Sequence, residues 1–183
     1  MRFVYEERKA AQAAAILLQL NGGNMYYLQL IKLLYLADRQ SLIETGYPIT
    51  GDKMVSMDRG PVLSHLYSGI MEGTPEHSEW HQSISDPSAY QVRLEHPPGD
   101  EALSDYEIGL LKSIFETYGQ MDRWALVRFT HDLPEWVDPD GSSIPIDVRI
   151  ILREAGKSDE EIVEIASQAE AIWSFKNVTA LIS

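Results

Sequence analysis

Residues 32–62 read KLLYLADRQSLIETGYPITGDKMVSMDRGPV and combine a helical pattern, a turn and a short alternating run. The helical pattern covers residues 25–46 and is apolar over most of its circumference, which is typical of a central buried helix. Residues 47–52 have the composition of a turn, and residues 53–58 alternate as a strand does. Gly60-Pro61 is then expected to open another helix, because proline at the first helical position loses no hydrogen bond.

Helical patterns flank this stretch on both sides. Residues 6–20 are rich in alanine, and Asn21-Gly22-Gly23 supplies the left-handed residues that commonly end a helix. Asn24 is expected to cap the next helix. Capping boxes at Ser104-x-x-Glu107 and Ser158-x-x-Glu161 predict two further helices.

The remaining segments are also predicted to be mainly helical. Helices are expected at about 122–132 and 145–155, and the last one is expected to bury a face that includes Ile172. A second hairpin is expected at about 79–95, with Asp86-Pro87-Ser88 as its turn. The predicted fold class is mainly α, a compact single-domain helical bundle with one or two small β hairpins.

Length and composition exclude several classes of protein. The chain has 183 residues, no cysteine, 44% hydrophobic residues and 23% charged residues, which is a globular composition without a disulfide framework or a cysteine-ligated zinc site. No repeat divides it, so we expect one domain over residues 1–183. It shows neither a signal-peptide pattern nor a long apolar run, which predicts a cytoplasmic protein with no membrane partner.

The formal net charge of −13 is unevenly placed. Residues 1–70 hold 7 basic and 6 acidic side chains, whereas residues 71–183 hold 8 basic and 22 acidic ones. An acidic surface repels phosphate backbones, so direct binding to nucleic acid is not expected. It would instead attract a partner with a basic surface.

Asp38 is the most informative carboxylate, since it lies on an apolar face of the predicted central helix among residues such as Ile31 and Tyr35. A charged group in that position must find hydrogen-bond donors or take up a proton. It could be a catalytic acid or base. We favour a structural tether that accepts hydrogen bonds from residues 53–61 or pairs with Arg59.

Other candidate chemistry is weaker. His77 and His81 are four residues apart and could hold a metal ion on one helical turn, but Ser78 stands where a zinc-protease signature needs glutamate. His131 is expected to be a structural side chain near Trp136 rather than part of a catalytic triad. No nucleotide fingerprint is present, so no cofactor is expected.

The tyrosine-rich stretch presents two alternatives. Tyr26, Tyr27, Tyr35 and Tyr47 could form a recognition surface, because tyrosine is enriched at the cores of interfaces. Ordinary core packing is the interpretation we favour.

The central block can also be taken as one motif, formed by residues 32–38, 46–52 and 60–62. It resembles the Panacea domain, the SocA-like antitoxin family of bacteria and phages. Tyr118-Gly119, Thr130-His131 with Trp136, and residues 144–156 agree with the later part of the family, so that the resemblance covers about residues 10–156. Residues 157–183 are expected to form a C-terminal helix and tail beyond it. Ser56 departs from the family pattern, in which a small apolar residue is more common.

This resemblance implies a mainly helical protein that is not an enzyme and that neutralises a protein toxin by direct contact. It also implies that a AAA+ protease could be a second partner, since one member of the family delivers its toxin to such a protease. The motif residues expected to build the scaffold are Asp38, Gly46, Pro48, Asp52, Gly60, Pro61, His131 and Trp136. Residues that could form an accessible partner-binding rim are Lys32, Tyr35, Arg59 and His65.

Two alternatives of other classes stay open. One is a metal-dependent hydrolase that uses His77 and His81. The other is a regulatory or structural protein of a phage or mobile element, dimeric through the apolar tail at 175–182. That tail could instead pack on the core or serve as an end recognised by a protease.

Overall fold

Eight helices and two small sheets make up the part of the chain that is described, which is the backbone of residues 1–180 and the side chains of residues 1–176 in a computed structural model. The helices are α1 (Glu7–Leu20), α2 (Tyr27–Thr45), α3 (Ser64–Glu72), α4 (Glu79–Ser83), α5 (Asp105–Tyr118), α6 (Arg123–His131), α7 (Val148–Glu154) and α8 (Asp159–Ala180). The strands are β1 (Asn24–Tyr26), β2 (Met54–Met57), β3 (Gly60–Leu63), β4 (Gln91–Arg93) and β5 (Ile144–Pro145). The prediction of a mainly α protein with small β hairpins is confirmed.

Helix α2 lies at the centre and is buried on nearly all sides. It packs against α1 and α5 on one side and against β3 and α6 on another. Leu30, Ile31 and Leu33 have no exposed surface, and burying each such side chain stabilises the fold by roughly 2 kcal/mol. The helix ends at Gly46, whose left-handed backbone donates its N–H to the carbonyl oxygen of Leu42.

The three-stranded sheet has the order β3-β2-β5, and both pairings are antiparallel. Ser56 of β2 faces Pro61 of β3 on one side and Ile144 of β5 on the other. Proline cannot donate to a ladder, and β3 is an edge strand, where that loss is tolerated. The expectation that Gly60-Pro61 opens a helix is therefore wrong, and α3 begins only at Ser64.

The other small sheet changes two further expectations. Asn24 does not cap α2 but pairs with Arg93, because β1 and β4 form an antiparallel ladder between distant parts of the chain. The segment 79–95 is not a plain hairpin. It starts with α4 and contributes β4, and its own two arms meet only in isolated bridges, Ile84 with Leu94 and Ser88 with Gln91.

Several local predictions are confirmed. Ser104 and Glu107 form a complete capping box at the start of α5, and Ser158 and Glu161 exchange the same pair of hydrogen bonds before α8. On α8, however, Ile172 is 41% exposed rather than buried. In the apolar tail expected at 175–182, Phe175 is 73% exposed, and the side chains from residue 177 onward lie outside the part that is described.

The first residues cross directly over the turn that follows α2. Glu6 donates its N–H to the carbonyl oxygen of Thr50 at 2.8 Å. At Gly51, a Cβ atom would stand 1.9 Å from the carbonyl oxygen of Val4, so only glycine allows this approach. Within residues 1–180, none of the helices is both long enough and apolar enough to cross a bilayer.

Candidate functional site

A first buried network starts at Asp38, on the face of α2 that meets the turn before β2. Its carboxylate accepts the backbone N–H of Thr50 at 3.0 Å and also the hydroxyl of Thr50. Asp38 is fully buried. It is therefore a tether, as expected, but it holds Thr50 rather than residues 53–61 or Arg59.

The environment of Asp38 changes its protonation. Burial raises the pKa of this carboxyl from 3.8 to about 7, although the two hydrogen bonds from Thr50 act in the opposite direction. Desolvation therefore outweighs the hydrogen bonds. A group that titrates near neutrality could serve as an acid or base, but here it is sealed from solvent and contacts only the scaffold.

Asp52 extends this network to the start of α3. Its carboxylate accepts the backbone N–H groups of His65 and Leu66 at 3.1 and 3.0 Å, and that of Lys53 at 2.6 Å. The first N–H groups of a helix have no partner within it, so Asp52 caps α3 from outside the helix. It also contacts Nδ1 of His65 at 2.7 Å, and Tyr5 stacks on the His65 ring at 4.7 Å between centroids.

A second buried network surrounds Lys32, which lies on a different face of α2 from Asp38. The Lys32 ammonium group donates to the carbonyl oxygen of Pro61 at 2.7 Å, and burial lowers the pKa of this lysine from 10.5 to about 7. Gly60 has a φ of +87°, and a Cβ atom there would lie 2.8 Å from Lys32 Nζ and 2.7 Å from the hydroxyl of Thr130. Glycine is thus required at position 60 both by the backbone and by space.

Glu135 packs against the same side of α2 and contacts two of its side chains. It is 2% exposed and accepts a hydrogen bond from the hydroxyl of Tyr35 at 2.7 Å and two from Arg39, at 2.7 and 3.2 Å. Burial and the neighbouring Glu135 carboxylate both raise the pKa of Tyr35. Tyr35 and Arg39, both on α2, therefore hold Glu135 and with it the segment that follows α6.

The same segment is fixed to the β2–β3 hairpin. The His131 ring stacks on Trp136 at 4.1 Å, which confirms the expected contact. Trp136 Nε1 donates to the carbonyl oxygen of Met57 at 3.1 Å, and Ser56 Oγ accepts the backbone N–H of Val137 at 3.2 Å. Ser56, where the chain departs from the family pattern, thus has a local hydrogen-bonding role.

Six of the predicted scaffold residues take part in these contacts, namely Asp38, Asp52, Gly60, Pro61, His131 and Trp136. Gly46 instead ends α2. The four residues predicted for the rim do not share one environment. Lys32 and Tyr35 have no exposed surface. Their placement on an accessible rim is wrong, because β3, α6 and residues 130–137 cover that side of α2. Arg59 and His65 are exposed. Pro48 is buried in the turn that carries Thr50.

Sequence reasoning missed two members of the networks, Glu135 and Arg39. The sequence carries one weak signal, a glutamate between the apolar residues Leu133 and Trp136. Nothing local connects that glutamate with Tyr35, which lies 100 positions earlier.

His77 and His81 do not share a helical turn, since α4 begins at Glu79. Among the side chains that are described, histidines and carboxylates nowhere come together in a group of three that could hold a metal ion. His65 and Asp52 instead line a cleft of about 510 Å³, together with Arg2, Lys53 and Arg149.

Three comparisons with known proteins bear on this arrangement. The sequence model of the family described as "Antitoxin SocA-like, Panacea domain" matches residues 30–137. Searches of curated proteins and of solved structures each found no match. The matched range starts just before Lys32 and ends just after Trp136, so it encloses both buried networks. This chain belongs to the SocA-like antitoxin family and carries its Panacea domain.

Proposed function

We propose that this chain neutralises a protein toxin by binding it directly, without catalysing a reaction. The observation that carries the proposal is the family match over residues 30–137. The three carboxylates of the two networks in that range make internal contacts: Asp38 and Asp52 hold backbone groups, and Glu135 holds Tyr35 and Arg39. Such a scaffold supports a preformed binding surface.

The test is co-expression with the product of the adjacent gene. We expect that product alone to arrest growth and this chain to restore growth while co-purifying with the product in a fixed molar ratio. An unrelated acidic protein of similar size serves as the control. Failure to form any complex with a product that arrests growth would overturn the proposal. Restored growth without a complex would point to an enzymatic activity instead.

We also propose that the chain can act as an adaptor that brings its bound toxin to a AAA+ protease, as the family resemblance implies. The half-life of the toxin should then be shorter with this chain than without it, and deletion of the protease should abolish the difference. If the toxin has the same half-life in strains with and without this chain, the adaptor role is excluded, while neutralisation by binding is not affected.

A further inference from the structure

A small pocket lies where β1, the β2–β3 turn and the start of α6 meet. It has a volume of about 230 Å³ and is lined by Tyr26, Tyr27, Leu28, Arg59, Tyr90, Arg123 and Trp124. We refer to these residues as the arginine–aromatic pocket. Neither buried network contributes a side chain to it.

Arg123 is the central feature of this pocket. Its guanidinium lies 4.0 Å from the ring centroid of Tyr26 and 5.5 Å from that of Trp124. The Nη1 atom is buried and has no hydrogen-bond partner among the described residues. Leaving a buried charged donor unpaired is costly, so the guanidinium of Arg123 still has hydrogen-bonding capacity that the chain does not use.

A second cation lies at the same pocket. The guanidinium of Arg59 is 5.7 Å from the Trp124 ring centroid. Among the ion pairs of the described side chains, neither Arg59 nor Arg123 has a carboxylate partner. The nearby Asp122 accepts the backbone N–H groups of Trp124 and Ala125 as the cap of α6. Two arginines without an ion-pair partner among the described side chains thus line one pocket, on a chain with a formal net charge of −13.

The aromatic rim is exposed and held in place. Tyr90 is 66% exposed, Trp124 45% and Tyr26 38%. Ala89 and Tyr90 have φ values of +50° and +67°, a left-handed conformation that is costly for residues other than glycine. The carbonyl oxygen of Tyr90 accepts the N–H of Tyr27 at 3.0 Å, which fixes this turn against the start of α2.

We propose that the arginine–aromatic pocket binds a single aspartate or glutamate side chain of the protein partner. The carboxylate accepts hydrogen bonds from the guanidinium groups of Arg123 and Arg59, and its apolar stem lies between Trp124 and Tyr90. This inference rests on the proposed function, because it names where the partner is held.

The chemistry of the pocket favours a protein side chain over other anions. Tryptophan, tyrosine and arginine are the residues that dominate binding energy at protein interfaces. The volume suits one side chain. A phosphate backbone would extend beyond the pocket over a surface with excess negative charge, where it is repelled.

The first experiment uses the purified full chain and N-acetylglutamate N-methylamide as a probe, whose only carboxylate is the side chain. N-acetylglutamine N-methylamide is the matched neutral probe, and the ionic strength is held constant. We expect the glutamate probe to shift the side-chain NMR resonance of Arg123 saturably, with a dissociation constant in the millimolar range, and the glutamine probe to leave it unchanged. No shift with the glutamate probe would overturn the proposal. A response only to inorganic phosphate or to a short single-stranded oligonucleotide would overturn it in favour of a phosphate site.

The second experiment measures the affinity of the toxin complex. Arg123→Gln should weaken it by about ten-fold or more, as expected when one partner of a buried charged pair is lost. Arg128→Gln is the matched control, because Arg128 is exposed on the same helix and should leave affinity unchanged. Unchanged affinity in an Arg123→Gln protein that melts like the wild type would overturn the inference alone, whereas a wild-type chain that binds no toxin would overturn the proposed function.

Discussion

Asp38 and Lys32 are buried ionisable residues on the same helix, and burial shifts the pKa of both to about 7 from opposite directions. Desolvation disfavours the charged form of either group, so the carboxyl gains affinity for its proton and the ammonium loses affinity for its own. Their contributions to stability therefore depend on pH with opposite signs.

Replacing Asp38 with asparagine tests the first of these shifts. The folded state holds the Asp38 proton more tightly than the unfolded state, so the wild type loses stability as pH rises from 3.8 toward about 7. The loss reaches up to about 1.4 kcal/mol per pH unit. Asparagine cannot ionise and still offers an acceptor to the N–H of Thr50. Urea titrations should show the unfolding free energy of Asp38→Asn rising relative to wild type across this interval. A difference that stays constant with pH would contradict the shift.

Replacing Lys32 with methionine tests the second shift. As pH rises, the folded state loses the Lys32 proton near pH 7, whereas the unfolded state keeps it until about pH 10.5. The stability contributed by neutral Lys32 is therefore fully present above pH 10.5 and is lost as pH falls to about 7. Between these values, wild type should gain stability relative to Lys32→Met as pH rises. Lys112→Met, at an exposed position, should show no such trend. Parallel curves for the wild type and Lys32→Met would refute the account of Lys32.

At the scale of elements, Asp52 links the turn after α2 to the start of α3. Removing its side chain in Asp52→Ala leaves the N–H groups of His65 and Leu66 without their acceptor. Loss of a cap typically costs about 1 kcal/mol, and up to about 2 kcal/mol in tight sites. We expect a loss near the upper value, with faster amide exchange concentrated at the first turn of α3.

The control for this substitution is Asp86→Ala, which removes an exposed carboxylate in the loop before β4. It should change neither the unfolding free energy nor the exchange of α3. Uniform acceleration of exchange throughout the Asp52→Ala protein would mean that Asp52 supports the fold as a whole rather than the start of this helix.

Most of the helices were predictable from local signals, whereas α4, the start of α3 and the strand pairings were not. Capping boxes and alanine content depend on neighbours in sequence, and α1, α5 and α8 began close to where these signals place them. Pro61 and Asn24 were misassigned because each pairs with a residue that local sequence does not reveal. Gly60-Pro61 favours a helix start on its own, and only the Ser56–Pro61 pairing makes it a strand.

The site was predictable to a similar extent. Asp38 could be found as a carboxylate on an apolar helical face, and its partner Thr50 lies 12 positions away. Lys32 was expected on an accessible rim because helical periodicity cannot show that a second layer covers that face of α2. Glu135 carries only a weak sequence signal and Arg123 carries none, since their environments are assembled from segments far apart along the chain.

At the scale of the whole molecule, the excess negative charge lies after residue 70. We expect association with a basic partner to slow as ionic strength rises, because salt screens long-range attraction. Neutralising the exposed Glu95, Glu116 and Glu154 together as glutamines should lower the association rate and flatten its salt dependence. Lys112→Gln is the control of opposite sign and should raise the rate slightly. An association rate that does not change with ionic strength would refute this role of the acidic residues after position 70.

The central claim, neutralisation by stoichiometric binding, is tested most directly by titrating a fixed amount of active toxin with the purified chain. Binding predicts that residual toxin activity falls in proportion to the chain added and reaches its end point at a fixed molar equivalence. Complete loss of activity at far below equivalence would show turnover by an enzyme, and undiminished activity at several-fold excess would show that the chain does not neutralise the toxin. Either result would contradict the account.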